Sequence, residues 1–559
     1  MNKTLLLGLC LTACVAEAKT ERIFREARYT RGNTNIVRLQ PIDEASWIWH
    51  RDDTGFGVNS STITHDARRE SEASIVMVFE KVFEVKPGEG AFEIDVSGDE
   101  RFYLTCDGEF ISRGPHRATM ENWQYQSYRL ELKPGRHVMR AVVTRLGVHA
   151  PLAQHSYRGG FILKASGEFD ERLSTGKAEW KVAKWSGMCP SGADNGVWGT
   201  GSQFIVKGSG PYAVEVFEWT EPVVVRGPAG DVGLSRHGAR TEGWMLYPSQ
   251  LPDQTERKIL PGKAVAATHK AEWRNGENGK SPYIYTASDM SASEVAAFND
   301  FLSGKVATFT VPSNTRLQLA WDLGRYVCAY PVAKFGAAKG ARFSWCWTEA
   351  SQKGGSDLKG GEPGARDAIE GRYLAGYGDI FLPSPEKDGE FSTPWFRCGK
   401  WCRLDIETAE VPLVIKSLAL VESRYPLEME SDFSSPEEKS LEGIRRISAR
   451  AMQMCAHEML FDCPYYEQQM YPGDSRVQLN ILSSMSRDER MIRRVIELYD
   501  LATRDDGMCP FNWPTRGTQE GFTYTLCYLM MYGDYAMNHT NREWLKSRMP
   551  GFRKSLSGC

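Results

Sequence analysis

The sequence predicts a multidomain β-plus-α protein, with β-sandwich domains preceding an all-helical part. Three observations carry this expectation. From about residue 43 to 430, short apolar-polar alternations are separated by turn signals, the pattern of antiparallel sandwiches rather than α/β units. At Ser435 the apolar period lengthens to that of a helix and stays there. The chain of 559 residues has room for about three or four domains.

The β part is legible element by element. Phe92, Ile94 and Val96 alternate with Glu93 and Asp95, as in a half-buried strand. Tyr103 to Cys106, then Asp107-Gly108, then Glu109 to Ile111 read as a hairpin, because Asp-Gly supplies the positive φ angles of a type I′ turn. Leu130, Leu132, Pro134-Gly135, Val138, Val142 and Val143 suggest a second hairpin. A Gly- and Ser-rich stretch at 187–210 divides the β region. Strands resume at Tyr212 to Phe217 and Val223 to Val225, with long loops at 272–281 and 353–366. The expected domains are 19–183 and 184–432, both β, and 433–559, helical.

In the helical part Ser435, Pro436 and Glu438 form an S-x-x-E capping box with Pro at the first helical position. Leu441, Ile444, Ile447, Ala451 and Met454, with Cys455 beside them, fall on one face at helical spacing. Met491 to Leu501 and Phe522 to Ala536 also read as helices.

Composition excludes several classes. Hydrophobic residues at 41% and charged residues at 25% argue against wholesale disorder. A net charge of -3 gives no basic surplus for nucleic acid or an anionic membrane. After the N-terminus no apolar run reaches the roughly 18 residues that a membrane-spanning helix needs. The 13 cysteines show no C-x2-C pairs, so neither a structural zinc site nor a disulfide connectivity can be read from their spacing.

Residues 1–18 read as an export signal. Lys3 precedes the apolar stretch Leu5 to Leu11, and Ala16-Glu17-Ala18 is an A-x-A cleavage pattern exposing Lys19. Leu11-Thr12-Ala13-Cys14 also resembles a bacterial lipobox, which would make a lipidated Cys14 the mature end. The expected location is periplasmic, extracellular, or lipid-anchored through Cys14 in a bacterium.

The chemistry concentrates between the first two helices. Residues 461–474, Phe-Asp-Cys-Pro-Tyr-Tyr-Glu-Gln-Gln-Met-Tyr-Pro-Gly-Asp, hold three carboxylates and three tyrosines. Pro464 and Pro472-Gly473 break helix, making this a loop. Carboxylates hydrogen-bond vicinal sugar hydroxyls, and aromatic faces stack on the C–H faces of a pyranose. A carboxyl beside aromatic surface is partly desolvated and better able to donate a proton; Glu467, flanked by Tyr466 and near Tyr471, suits that role. The same residues also fit a capping loop of solvated acids, with Asp474 capping a helix that begins near Ser475.

The spacing D-C-P-x2-E-x5-G-D over Asp462, Cys463, Pro464, Glu467, Gly473 and Asp474 resembles the active-site motif of bacterial α-L-rhamnosidases, glycoside hydrolase family 78. Weaker likenesses surround it: Ala45 to Trp49 resembles the start of that family's N-terminal sandwich. Ser97-Gly98-Asp99 through Asp107-Gly108 resembles its sugar-binding-module-like hairpin. Trp395-Phe396-Arg397 with Arg403-Leu404 resembles the strands before the catalytic domain. The resemblance implies an (α/α)6 barrel and inverting hydrolysis of terminal α-L-rhamnose without a cofactor or metal. Glu467 would be the general acid, and Asp462 and Asp474 would hold the sugar hydroxyls. Inversion also needs a base across the ring, roughly 6.5–9.5 Å away, in this family a Glu late in the barrel. Two departures stand out. The stretch Tyr465-Tyr466 is one residue shorter than a common family form and lacks its Arg. Tyr471 stands where a Trp is usual, still able to stack. Trp513, in Pro510-Phe511-Asn512-Trp513-Pro514, is either a second sugar platform or a core residue.

Twelve helices with their loops need about 200 residues, more than 433–559 supplies, so the barrel is expected to be incomplete, with apolar helix faces left uncovered. A truncated barrel would turn over poorly or not at all. Two other functions remain open: a carbohydrate-binding protein without catalysis, and a related glycosidase for another sugar such as fucose. Each takes a glycan, rhamnose-containing in the first reading, as its partner.

Overall fold

A strand that is apolar at every position has to be buried on both faces. Ile75–Val85 begins Ile-Val-Met-Val-Phe, and its alternate residues enter two different cores. Met77 and Phe79 join the interior of the first sandwich, while Val76 and Val78 join the core of the following β region. In this computed structural model the described residues are 19–27, 30–31, 36–37, 40–53, 74–156, 158–190, 203–208, 217–226, 244–271, 283–353, 366–515, 517 and 521–559. Residues 1–18, with Cys14 and the expected export signal, and Tyr212 to Val216 lie outside them.

Among the described residues a seven-stranded and a five-stranded sheet form the first sandwich, and an eleven-stranded sheet forms the second β region. The Asp107-Gly108 hairpin is present, with φ of 52° and 85° and Cys106 opposite Glu109. The second expected hairpin is not. Trp123–Glu131 pairs with Phe92–Asp99 in the larger sheet, whereas Gly135–Arg145 pairs with Ile75–Val85 and Arg101–Cys106 in the smaller one. Pro134-Gly135 therefore carries the chain across the sandwich; the turn residues mark a reversal but not its partner. Strand Phe92–Asp99 also departs from the half-buried expectation. Asp95 is 1% exposed and is held by Arg25 at 2.6 Å. Val223–Arg226 and Leu246–Pro248, assigned by sequence position to the region after 184, add instead to the larger sheet of the first sandwich. Pairing across the sheet, not chain order, places them.

The second β region is built on the long strand Arg316–Phe335, which pairs with Arg397–Glu407 and Leu413–Glu422. Trp321, Trp345, Trp347, Phe343 and Phe381 fill its core. The ten-residue helix α1, Ser293–Leu302, packs Phe298 and Phe301 onto this core.

Among the described residues five helices follow: α2 (Ser440–Cys455), α3 (Pro472–Met485), α4 (Arg490–Ala502), α5 (Phe522–Asn538) and α6 (Arg542–Gly558). The first starts later than the capping box implies. Ser435 Oγ does accept the Glu438 N–H at 3.1 Å, but this closes a turn, and the Glu438 carboxylate reaches forward to the Ser440 N–H at 3.2 Å. Pro472 opens α3 rather than breaking it, since the first helical position needs no N–H. Among the described residues no helix is long and apolar enough to cross a membrane.

The apolar stripe of α2 divides. Met454 is buried, but Leu441, Ile444 and Ile447 are 40%, 57% and 73% exposed. The helix is anchored by polar contacts instead, such as Arg450 donating to the Tyr326 carbonyl at 2.5 Å. Ile447→Gln is therefore expected to change the unfolding free energy in urea by less than about 0.5 kcal/mol. A loss of about 2 kcal/mol or more would mean the stripe is packed.

Candidate active site

Between α2 and α3 the chain closes on itself. The Phe461 N–H donates to the Cys455 carbonyl at 2.8 Å, and the Asp462 N–H to the Gln469 carbonyl at 2.8 Å. The Gln469 N–H returns to Asp462 Oδ1 at 3.1 Å. Residues 463–468 become a tight excursion in which Gln468 takes a φ of 50°.

Distant residues floor this excursion. The Pro464 carbonyl accepts the Cys398 thiol at 2.8 Å and the Gln468 amide at 2.8 Å. The Trp395 indole N–H donates to Gln468 Oε1 at 2.8 Å. Tyr465 is buried; its hydroxyl donates to the Trp347 carbonyl at 2.7 Å and accepts the Tyr377 N–H at 3.1 Å. Tyr465 is thus an anchor in the β region rather than a sugar platform.

The loop brings Asp462, Glu467 and Tyr471 together, and the Tyr471 hydroxyl donates to Glu467 Oε2 at 2.6 Å. Burial pushes the Asp462 carboxyl up to about 6. The Cys463 thiol and the Cys463 and Gln469 N–H groups pull it down, and the nearby Glu467 charge adds to the rise. Asp474 lies exposed in the first turn of α3. Its field reaches the Tyr524 phenol, which burial chiefly raises, and, with that of Asp462, the Cys455 thiol, which burial pushes up to about 12. Asp462 and Asp474 thus both act on Cys455, and Asp462 and Glu467 both act on Tyr471. Trp513 is half-buried, its backbone N–H donating to the Met470 carbonyl at 3.1 Å and its ring edge-on to His155 at 5.9 Å.

Tyr524 is a residue that the sequence reading missed. It stands 6.4 Å from the Tyr471 ring and 4.8 Å from Phe511, widening the aromatic wall. Its only sequence signal is an aromatic pair, Phe522 and Tyr524, at the start of α5. Away from the loop, Cys106, Asp107 and His137 are close enough together to share an ion. Both imidazole nitrogens are already engaged, Nδ1 with Asp107 at 2.6 Å and Nε2 with the Lys133 carbonyl at 2.7 Å, so the group reads as a lock on the hairpin.

Asp462 gives a pH prediction. Its folded value of about 6 lies above its ordinary one, so ionisation favours the unfolded chain. Its contribution to stability is full below about pH 4 and is lost as pH rises through about 6. The stability of the parent relative to Asp462→Asn should fall across that window. A difference flat in pH would contradict the burial of this carboxyl.

Residues 429–557 match the family model described as the bacterial alpha-L-rhamnosidase 6 hairpin glycosidase domain. No curated protein sequence matches the chain. Among solved structures, the GH78 rhamnosidase of Bacillus sp. GL1 superposes with a TM-score of 0.70 at 16% identity, over 92% of this chain and 69% of that one. The α-L-rhamnosidase of Dictyoglomus thermophilum gives 0.59 at 12%, over 92% and 51%. That of Streptomyces avermitilis, complexed with L-rhamnose, gives 0.56 at 12%, over 87% and 42%. The chain thus spans from under half to about two thirds of the length of these neighbours. The fold, mostly sheets followed by helices, is similar to theirs, and residues 429–557 are similar to the six-hairpin glycosidase domain of bacterial alpha-L-rhamnosidases.

Proposed function

We propose that the 461–474 loop hydrolyses terminal α-L-rhamnosides with inversion, and that α2 to α6 are part of an (α/α)6 barrel. The observation that supports this best is the contact of Tyr471 with Glu467 in a loop that Asp462 closes. One carboxyl is held by an aromatic hydroxyl, and another lies beside it to bind sugar. Glu467 protonates the glycosidic oxygen as the bond to the anomeric carbon breaks. Asp462 and Asp474 accept hydrogen bonds from the sugar hydroxyls, and Tyr471 and Trp513 line the ring. Water attacks the opposite face with a base taking its proton; that base is not assigned to a residue of this chain.

The test is release of L-rhamnose from an aryl α-L-rhamnoside, followed by proton NMR. The first-formed sugar should be the β anomer. The α anomer would refute inversion. Binding of L-rhamnose without turnover would support a carbohydrate-binding protein, and turnover of an aryl fucoside alone a different glycosidase. We also infer export. Mass spectrometry of the mature protein should find either Lys19 or a lipidated Cys14 at its end.

A further inference from the structure

The catalytic loop is gripped by a part of the molecule far from it in sequence. Glu458 lies four residues before Asp462, in the short turn where Ala456 bridges to Leu460. It is 2% exposed. Its carboxylate faces Arg101, at the start of strand Arg101–Cys106 in the first sandwich, with separations of 3.0 Å to Oε2 and 2.5 Å to Oε1. The Arg117 N–H donates to Oε2 at 2.9 Å. Arg101 also donates to the Pro115 carbonyl at 2.5 Å, which fixes the guanidinium in register. Burial would disfavour the charge on Glu458, but Arg101 reverses this and holds the carboxyl below its usual range.

A second contact reaches the far end of the loop. The guanidinium groups of Arg101 and Arg117 lie 4.7 Å and 4.2 Å from the Trp395 ring. Trp395 in turn donates its indole N–H to Gln468, the neighbour of Glu467. Arg494 of α4 holds the same sandwich segment, donating to the Arg117 carbonyl and to Asn122 Oδ1, both at 3.1 Å. A fork of five donors that pairs bidentately and lies against an indole uses properties peculiar to arginine.

We propose that Arg101, with Arg117, is a positioning residue: a guanidinium supplied by the N-terminal sandwich that sets the Asp462–Glu467 loop through Glu458 at one end and Trp395 at the other. The sandwich is then part of the catalytic apparatus, not an appended module. This rests on the hydrolase reading for its effect on turnover, but not for its effect on the loop.

The full chain would be compared with Arg101→Met and Arg101→Lys by amide hydrogen exchange, by folding midpoint, and by kcat and KM on an aryl α-L-rhamnoside. In Arg101→Met, exchange over residues 459–470 should quicken at least about tenfold while strands Arg316–Phe335 and Arg397–Glu407 stay protected. Turnover per folded molecule should fall about 10- to 100-fold, the scale of a displacement near 1 Å. Lysine keeps the charge without the fork, so Arg101→Lys should fold like the parent and recover only part of the loop protection and of kcat. If Arg101→Met fails to fold, Arg101→Lys carries the test alone. Loop exchange within twofold of the parent in every variant that folds would overturn the proposal. So would kcat losses matched by loss of folded protein. If the parent turns over no rhamnoside, the hydrolase reading falls and the exchange data alone decide whether the sandwich sets the loop.

Discussion

Glu467→Gln is expected to lower kcat on an aryl α-L-rhamnoside by about 10²- to 10⁴-fold, the usual worth of a general acid. Gln is nearly the same shape, so the variant separates proton donation from packing. The Tyr471 hydroxyl, 2.6 Å from Glu467 Oε2, can still donate to an amide oxygen. The Glu467 N–H points to the Cys463 sulfur at 3.4 Å through the backbone alone. Loop geometry and L-rhamnose affinity should therefore survive while turnover does not. Loss of the acid costs least with a good leaving group, so the defect should be larger on an alkyl rhamnoside than on a nitrophenyl one. Equal activity in parent and variant would remove Glu467 from the mechanism.

The largest stability effect is expected at Arg397. Its guanidinium grips Asp379 through Nε and Nη2, both at 2.7 Å, with side chains 2% and 1% exposed. Asp379 Oδ1 also accepts the Phe204 N–H at 2.8 Å, so one buried carboxylate joins three strands. Arg397→Met leaves that charge buried without its counter-ion, at a cost of about 3–5 kcal/mol. For a region of this size the midpoint should drop by roughly 10 °C. Adding Asp379→Asn removes the orphan charge and should return a good part of the loss. The effect should also reach the active loop, because strand Tyr377–Leu382, which carries Asp379, meets the Tyr465 hydroxyl at Tyr377. A thermal scan of the two variants decides it: a midpoint shift under about 2 °C in Arg397→Met would mean that the pair is not buried as described.

Local signals were read well where the physics is local. The Asp107-Gly108 turn needs only two positive φ angles in adjacent residues, and it is there. The helices at Arg490–Ala502 and Phe522–Asn538 follow from their own periodicity to within two residues. Asp462, Glu467 and Tyr471 sit in one short loop, so their convergence was nearly forced by chain length. Elsewhere the local rule was right and its consequence was not. Pro134-Gly135 does turn the chain, but into the other sheet. Pro472-Gly473 carries a local break signal and instead begins α3.

The sequence by itself determined the change from β to α period, the main turn, and a loop rich in acids and tyrosines with glycosidase spacing. Only the tertiary structure decided what holds that loop: Trp395 against Gln468, Tyr465 under Trp347, Tyr524 beside Tyr471, and Arg101 on Glu458. Periodicity tells each residue which face it occupies on its own element. It carries no information on which other element that face will meet. A pair such as Arg101 and Glu458 lies 357 residues apart, and neither member shows any local sign that the other exists. They meet because a buried charge is stable only beside its partner, a condition satisfied only once the sheets and helices have packed.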